Sequence, residues 1–151
     1  MCTTVGALPG AAPPLIGWAA ASGNLRSEAW LLYLVLFLWQ LPHFMAIAWM
    51  YREDYGRAGY RVLPQSGRRE RVVAWQSFVP ALFLVPVSLI PALLGEEGKS
   101  YFVGAALLGI SFLYCAARLA FHRSNVVARQ LLLASVIYLP LLFLLMLLGR
   151  N

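Results

Sequence analysis

Two acids and two arginines stand together in the segment 51–57, YREDYGR, between two long apolar stretches. Carboxylates such as those of Glu53 and Asp54 are the ligands that Mg²⁺ prefers, and Mg²⁺ commonly bridges a protein to phosphate oxygens. Arginines such as Arg52 and Arg57 bind phosphate directly through paired hydrogen bonds. The combination is typical of a site for a metal-bound diphosphate, although a solvated loop can carry the same residue types.

A polar stripe is predicted to lead from these acids into the preceding apolar stretch. If the helix there runs on by one turn, His43, Ile47 and Asp54 share a face, because eleven residues at about 100° each return to within about 20°. Gln40 lies near the same stripe, and His43 would lie about 16 Å deeper than Asp54. Polar side chains inside a membrane usually face a cavity or a bundle interior. His43 is therefore either a pocket residue or a histidine hydrogen-bonded inside the helix bundle.

The elements that hold these residues are predicted to be membrane helices. The chain is 61% hydrophobic and only 12% charged, with a mean hydropathy of +0.71, which ordinary soluble domains do not reach. A helix that spans a bilayer needs about 20 apolar residues. A weaker stretch at 4–20 carries Pro9, Pro13 and Pro14, which remove backbone donors. Four strong stretches lie at 29–50, 72–94, 101–121 and 127–148. The predicted fold class is an all-α polytopic membrane bundle.

The charged residues between these stretches predict the orientation of the helices. The segment at 51–71 holds six arginines, and the turn at 122–129 adds His122, Arg123 and Arg129. The other two turns are neutral or acidic. By the positive-inside rule the two Arg-rich segments face the cytoplasm or its equivalent. With five spans, the N-terminus then starts inside and the C-terminus ends outside.

The remaining composition argues against other classes of protein. Arginines beside anionic lipid headgroups account for the net charge of +6, so no nucleic-acid partner is predicted. Cys2 and Cys115 are too far apart in sequence to form a short metal or redox motif. Small residues in the third strong stretch, Gly104, Ala105 and Gly109, predict a close contact between helices.

Three blocks of sequence, in order, resemble one family. They are GALPGAAPPLIGWAAASG at 6–23, WQLPHFMAIAW at 39–49 and REDYGRAGYRVLP at 52–64. Together they closely resemble the heme O synthase (protoheme IX farnesyltransferase) branch of the UbiA-type intramembrane prenyltransferases. The resemblance covers nearly the whole chain, and the C-terminal helices add little to it.

The resemblance implies a nine-helix all-α membrane fold with two acidic motifs above a central cavity, of which this chain would supply about five helices. Such enzymes transfer a farnesyl group from farnesyl diphosphate to a vinyl group of heme B, giving heme O for terminal oxidases. A bacterial cell membrane is expected, with the mitochondrial inner membrane as the alternative. Heme A synthase or other oxidase-assembly proteins are the implied protein partners, beside the lipid bilayer.

Residue roles follow from the matching blocks. Asp54 matches the acid of the second motif, so the resemblance implies that it contacts Mg²⁺ and diphosphate. Arg52 and Arg57 are candidate phosphate partners and, with Asp54, the catalytic candidates. Glu53 is a second metal ligand, directly or through water, and Tyr55 a hydrogen-bonding wall of the site.

The WQLPHF block supplies the candidates for substrate binding. His43 and Gln40 match it and would contact either the heme or the prenyl chain, a choice that the resemblance leaves open. Trp39 and Tyr51, which stand at the edges of the two blocks, complete the substrate-binding set.

The chain departs from the family pattern in two ways. The wider superfamily has an Asp four residues before the acid matched by Asp54, whereas this chain has Met50. The family's first acidic motif and the Lys-Arg pair that comes just before its GALPGAAPPLIGW block are absent, so residues 1–151 are predicted to be the C-terminal portion of a single membrane domain, inactive alone. A prenyltransferase acting on a quinone precursor, a non-catalytic membrane subunit and a split enzyme are the alternatives.

Overall fold

The fold is known from a computed structural model that describes residues 2–59, 63, 68–95 and 98–149. Within these ranges every regular element is a helix, which confirms the predicted all-α class. Arg61, Glu96 and Glu97 lie outside the described residues, as do the side chains of Cys2, Arg68, Arg69 and Glu70. The helices are α1 (Cys2–Gly10), α2 (Pro13–Ser22), α3 (Ser27–Met50), α4 (Arg52–Arg57), α5 (Arg68–Leu93), α6 (Lys99–His122) and α7 (Asn125–Gly149).

Four helices in the described part of the chain are long and apolar enough to cross a bilayer. They are α3, α5 from Arg71 onward, α6 and α7, each of 23 to 25 residues. These confirm the four strong spans predicted from hydropathy. No more than 39% of the most apolar stretch of any of them is buried, so most of their surface is apolar and uncovered. Such a surface suits a chain whose solvent is lipid.

The fifth predicted span, at 4–20, is wrong as a single helix. Two short helices, α1 and α2, take its place, and neither has the length of a span. Pro13 and Pro14 begin α2, where a missing N–H costs nothing, but they cannot donate to the last carbonyls of α1. The amide of Ala12 closes α1 by donating to the carbonyl of Pro9 at 3.2 Å.

The four long helices form a closed ring of neighbours. The helix α3 packs against α5, α5 against α6, and α6 against α7, while α7 returns to α3. The helices α1 and α2 pack on α3. At the centre the rings of Phe112 and Tyr138 stack with centroids 5.1 Å apart, joining α6 to α7.

Small residues bring α6 close to both of its neighbours, as the sequence predicted. A Cβ on Gly104 would lie 2.7 Å from Leu145 Cδ1 of α7, and a Cβ on Gly109 would lie 3.3 Å from Val85 Cγ2 of α5. Ala105, between them in sequence, is fully buried. In lipid no hydrophobic driving force from water brings helices together, so close packing of this kind holds them instead.

Hydrogen bonds between loops and helix ends fix which segments share an end of the bundle. Arg52 donates from Nη1 to Asn125 Oδ1 at 2.6 Å, so the α4 segment and the start of α7 lie together. At the opposite end the Gly98 amide donates to the Gly149 carbonyl at 3.3 Å. The prediction that the two Arg-rich segments lie at the same end is confirmed.

Replacing Gly109 by Leu is expected to destabilise the bundle by about 1–3 kcal/mol, because added atoms would meet the Val85 backbone, whose Cα lies 3.5 Å from the new Cβ. The free energy of unfolding in detergent micelles measures the loss. The matched control is Gly17→Leu, since a Cβ at Gly17 meets nothing within 4 Å. An equal loss in both variants would contradict close α5–α6 packing as the cause.

Candidate functional site

The segment that carries the acids is a separate short helix. The helix α3 ends at Met50, and Tyr51 leaves the helical conformation at φ −100°, ψ 18° before α4 begins at Arg52. The Tyr51 amide donates to Ile47 of α3, while its carbonyl accepts from the Tyr55 amide of α4, each at 3.0 Å. The stripe predicted from His43 to Asp54 is therefore wrong, because the break at Tyr51 interrupts the regular 100° step.

The acidic pair of α4 is open to solvent. The Glu53 side chain is 73% exposed and that of Asp54 70%. Asp54 lies 3.8 Å from Arg57, whose side chain is also largely exposed, and Glu53 lies 3.7 Å from Arg52. Exposed ion pairs of this kind contribute little to stability. Both carboxylates are consequently free to exchange these partners for a ligand.

The donor chemistry of α4 fits Mg²⁺ only as part of a site. In the part of the chain that the structure describes, no three His, Cys, Asp or Glu side chains converge to hold a metal ion. Mg²⁺ is commonly held by one or two carboxylates together with substrate phosphates. Glu53 and Asp54 can supply such carboxylates, with phosphate oxygens and water completing the coordination.

Arg52 is tied into the bundle rather than presented to a ligand. Its Nη1 donates to the Trp49 carbonyl at 2.7 Å as well as to Asn125, and its guanidinium lies 4.9 Å from the centre of the Trp49 ring. The Trp49 carbonyl is among the last of α3, where helix carbonyls lack an amide partner. Of the two arginines predicted to bind phosphate, Arg57 is the accessible one, and Arg52 joins α3 to α7.

Gln40 is also occupied by protein. Its Nε2 donates to the Ala7 carbonyl of α1 at 2.5 Å, and its side chain is 4% exposed. A Cβ on Gly10 would lie 2.6 Å from Gln40 Oε1, so Gly10 makes this approach of α1 possible. The structure therefore turns Gln40 toward α1, away from the partner of His43.

His43 and Trp39 meet on one residue of α7, Ser135. His43 Nδ1 lies 2.7 Å from Ser135 Oγ, and Trp39 Nε1 donates to the Ser135 carbonyl at 2.8 Å. The Trp39 and His43 rings stack with centroids 4.9 Å apart at 22°. This half-buried cluster lies within two membrane-spanning helices, where a polar group needs a protein partner.

The structure thus gathers the predicted residues into two groups. The first group is at the surface and consists of Glu53, Asp54 and Arg57 of α4, together with Tyr51, the half-exposed residue just before α4. The second group, Trp39 and His43, lies deeper, on α3. Tyr55, partly buried, lies on α4 between the acids and Arg57 in sequence. Sequence reasoning missed Ser135 and Asn125. The only signal for Ser135 was a polar residue inside the long apolar stretch 127–148, and the only signal for Asn125 was a polar residue just before that stretch.

Comparison with known families agrees with this architecture. A profile of the UbiA prenyltransferase family matches residues 1–148. The chain belongs to the UbiA prenyltransferase family. With its four long apolar helices it is a multi-pass integral membrane protein.

Curated relatives are named protoheme IX farnesyltransferase. The chain is 56% identical over 148 residues to that of Solibacter usitatus (strain Ellin6076), covering 98% of this chain and 51% of the relative. It is 47% identical over 158 residues to that of Koribacter versatilis (strain Ellin345), covering 100% of this chain and 51% of the relative. The chain spans about half the length of these relatives. No solved structure matches it.

A double-mutant cycle on Arg52→Ala and Asn125→Ala is expected to give a coupling energy of about 0.5–3 kcal/mol, because the two side chains share one hydrogen bond. Unfolding in micelles provides the four free energies. Arg57→Ala, which removes an exposed side chain from the same helix, should stay within about 0.5 kcal/mol of the parent. Additive effects of Arg52→Ala and Asn125→Ala would show that Arg52 does not join α3 to α7.

Proposed function

We propose that this chain is part of an enzyme that transfers the farnesyl group of farnesyl diphosphate to a vinyl group of heme B, giving heme O. The observation that carries the proposal is the exposed group of Glu53, Asp54 and Arg57, placed where the helix bearing Trp39 and His43 reaches the surface. A diphosphate is charged and would bind at the surface, near α4. A prenyl chain and a porphyrin are both apolar and would bind deeper, near Trp39 and His43. The names of the relatives support the same reaction.

The reaction determines what the residues must do. The bond between the allylic carbon and the diphosphate oxygen breaks, and diphosphate leaves with the electron pair. The vinyl group of heme B supplies the electrons of the new carbon–carbon bond, and water adds to the carbocation that results, with loss of a proton. The site must therefore stabilise negative charge on the leaving group and keep other water from the allylic cation.

The residues of α4 suit the first of these tasks. Asp54, with Glu53, would hold Mg²⁺, which supplies charge neutralisation to the diphosphate when bound. Arg57 can release Asp54 and donate to a phosphate oxygen, since their ion pair is exposed and weak. Tyr51 and Tyr55 lie on the same segment and would border the phosphates.

The second task falls to the bundle. Trp39 and His43 lie inside α3, about three and two turns before its end at Met50, where neighbouring apolar helices partly cover them. A prenyl chain or porphyrin bound at that depth is shielded from water. Since the chain spans about half the length of its relatives, we propose that it forms the C-terminal portion of one prenyltransferase domain in a bacterial cell membrane.

Asp54→Asn is expected to lower heme O formation roughly 100-fold. The substitution keeps the side chain nearly the same shape but removes the charge that would hold the metal and its diphosphate. Membranes of a bacterial host without its own heme O synthase are prepared with this chain and with the part of the Solibacter usitatus relative that it does not match. Heme O is measured by mass spectrometry after heme B, farnesyl diphosphate and Mg²⁺ are added.

The matched control is Glu28→Gln, which neutralises an acid in the first turn of α3, at the other end of the bundle. It should leave heme O formation unchanged. A parallel reaction with a quinone precursor tests the other acceptor, and membranes with this chain alone should form no heme O. Product with the quinone precursor only, or full activity of Asp54→Asn, would contradict the proposal.

A further inference from the structure

Ser135, inside the membrane-spanning helix α7, makes hydrogen-bond contacts through both its hydroxyl and its backbone carbonyl. Its hydroxyl lies 2.6 Å from the Leu132 carbonyl and 2.7 Å from His43 Nδ1, and its own carbonyl accepts from Trp39 Nε1. Ser135 is 0% exposed. Water therefore does not reach Ser135, and its hydroxyl must be satisfied by protein groups.

Counting hydrogens assigns the state of the imidazole. A serine hydroxyl has one hydrogen to donate and two lone pairs to accept with, whereas a backbone carbonyl only accepts. The hydrogen of Ser135 must point to Leu132 for that bond to exist. His43 Nδ1, which lies at hydrogen-bond distance from the same oxygen, must then be the donor. We assign to neutral His43 the tautomer with its hydrogen on Nδ1, which leaves a lone pair on Nε2.

The plane of the ring is fixed as well. Trp39 stacks on His43 one helical turn away, and its indole N–H is held by the same Ser135. The Phe44 ring is a second aromatic neighbour of His43, with the two ring centroids 5.8 Å apart and the ring planes at 59°. In the described part of the chain, Nε2 makes no hydrogen bond. An oriented imidazole with one free lone pair is the result.

We propose that His43 Nε2 is an axial ligand for the iron of heme B, and that Ser135 is the positioning residue that makes it so. The inference rests on the proposed function and assigns to His43 the heme rather than the prenyl chain. Histidines that bind metals generally donate the other ring N–H to an acceptor, which fixes the tautomer and raises the basicity of the ligand. Ser135 is that acceptor, and neutral imidazole is a common ligand of heme iron.

The depth of His43 is compatible with this role. It lies seven residues before the end of α3 at Met50, about 10 Å along the helix. A flat porphyrin held at its centre extends on all sides, so part of its rim lies nearer to α4 than His43 does. The vinyl groups belong to that rim, and the acids proposed to hold the diphosphate belong to α4.

The tautomer can be measured without heme. The chain contains two histidines, so the chain with ¹⁵N-labelled histidine in bilayers gives two ring signals by solid-state NMR, and His122→Gln assigns them. His43 should have a protonated Nδ1 and an unprotonated Nε2. Ser135→Ala should shift it toward the Nε2-protonated form. Wild-type His43 protonated on Nε2, or an unchanged tautomer in Ser135→Ala, would overturn the inference.

The control for Ser135→Ala is Ser111→Ala on α6. The Ser111 hydroxyl also donates to a carbonyl of its own helix, that of Leu107 at 2.8 Å, but it lies on an exposed face without a histidine. The same substitution there should leave the His43 signals in place.

Ligation is tested by titrating ferric heme B into bilayers that contain the chain, with empty bilayers subtracted. The wild type should give the absorption spectrum of imidazole-ligated heme, and Ser135→Ala should raise the Kd about 10-fold while Ser111→Ala leaves it unchanged. His43→Ala should lose the ligated spectrum, and added imidazole should restore it. A wild type without this spectrum, or the same Kd in Ser135→Ala, would overturn the inference.

Two results separate this inference from the proposed function. A chain that ligates heme through His43, while membranes that also hold the unmatched part of the Solibacter usitatus relative form no heme O, would remove the proposed function alone. Membranes that form heme O at the wild-type rate with His43→Ala, and with the same heme spectrum, would remove the ligand assignment alone.

Discussion

A polar group inside a bilayer finds no water, so it must be paired within the protein, and this constraint determines how the helices of the chain are joined. The helix α3 is bonded to α1 through Gln40 and to α7 through Trp39 and His43, and Arg52 of α4 bridges the end of α3 to the start of α7. Each of these side chains sits where an unpaired polar atom would cost several kcal/mol, or at the rim of that region. Two of the residues that bear on function, Trp39 and His43, thus also join helices of the bundle.

The other side of the ring is held differently. Among the described residues, the contacts of α5, α6 and α7 with one another include glycines and an aromatic stack. They also include a bond from Tyr101 of α6 to the Ser88 carbonyl of α5 at 2.6 Å and an exposed bond from Arg118 of α6 to Gln130 of α7 at 2.8 Å. Lipid tails are as apolar as leucine, so close packing rather than water exclusion holds such contacts. Around α3, next to the candidate site, several side-chain hydrogen bonds join the helices, while close packing of small and aromatic residues contributes more to the contacts of α6 with α5 and α7.

The sequence predicted what depends on local composition. The four long spans follow from runs of apolar residues, and the close contact of α6 follows from its small residues. The span at 4–20 failed because Pro13 and Pro14 break the helix there, and the polar stripe failed because Tyr51 ends α3 before the acids. Ser135 was missed because its partner His43 is 92 residues away in the chain, and no local pattern encodes a bond between distant helices. For the same reason the engagement of Arg52 with Asn125 was not foreseen.

The two attachments of α7 to α3 have a mechanical consequence. Ser135 and Asn125 are ten residues apart on α7, about 15 Å along its axis. Ser135 contacts His43 of α3 directly, whereas Asn125 accepts from Arg52 of α4, which also donates to the Trp49 carbonyl near the end of α3. One contact would leave α7 able to tilt about it, whereas two contacts at separate levels restrain both tilting and sliding of α7 along α3. We therefore expect α3 and α7 to move together, so that any widening of the ring to admit a flat or long apolar molecule occurs at the contacts of α5 and α6 with their neighbours.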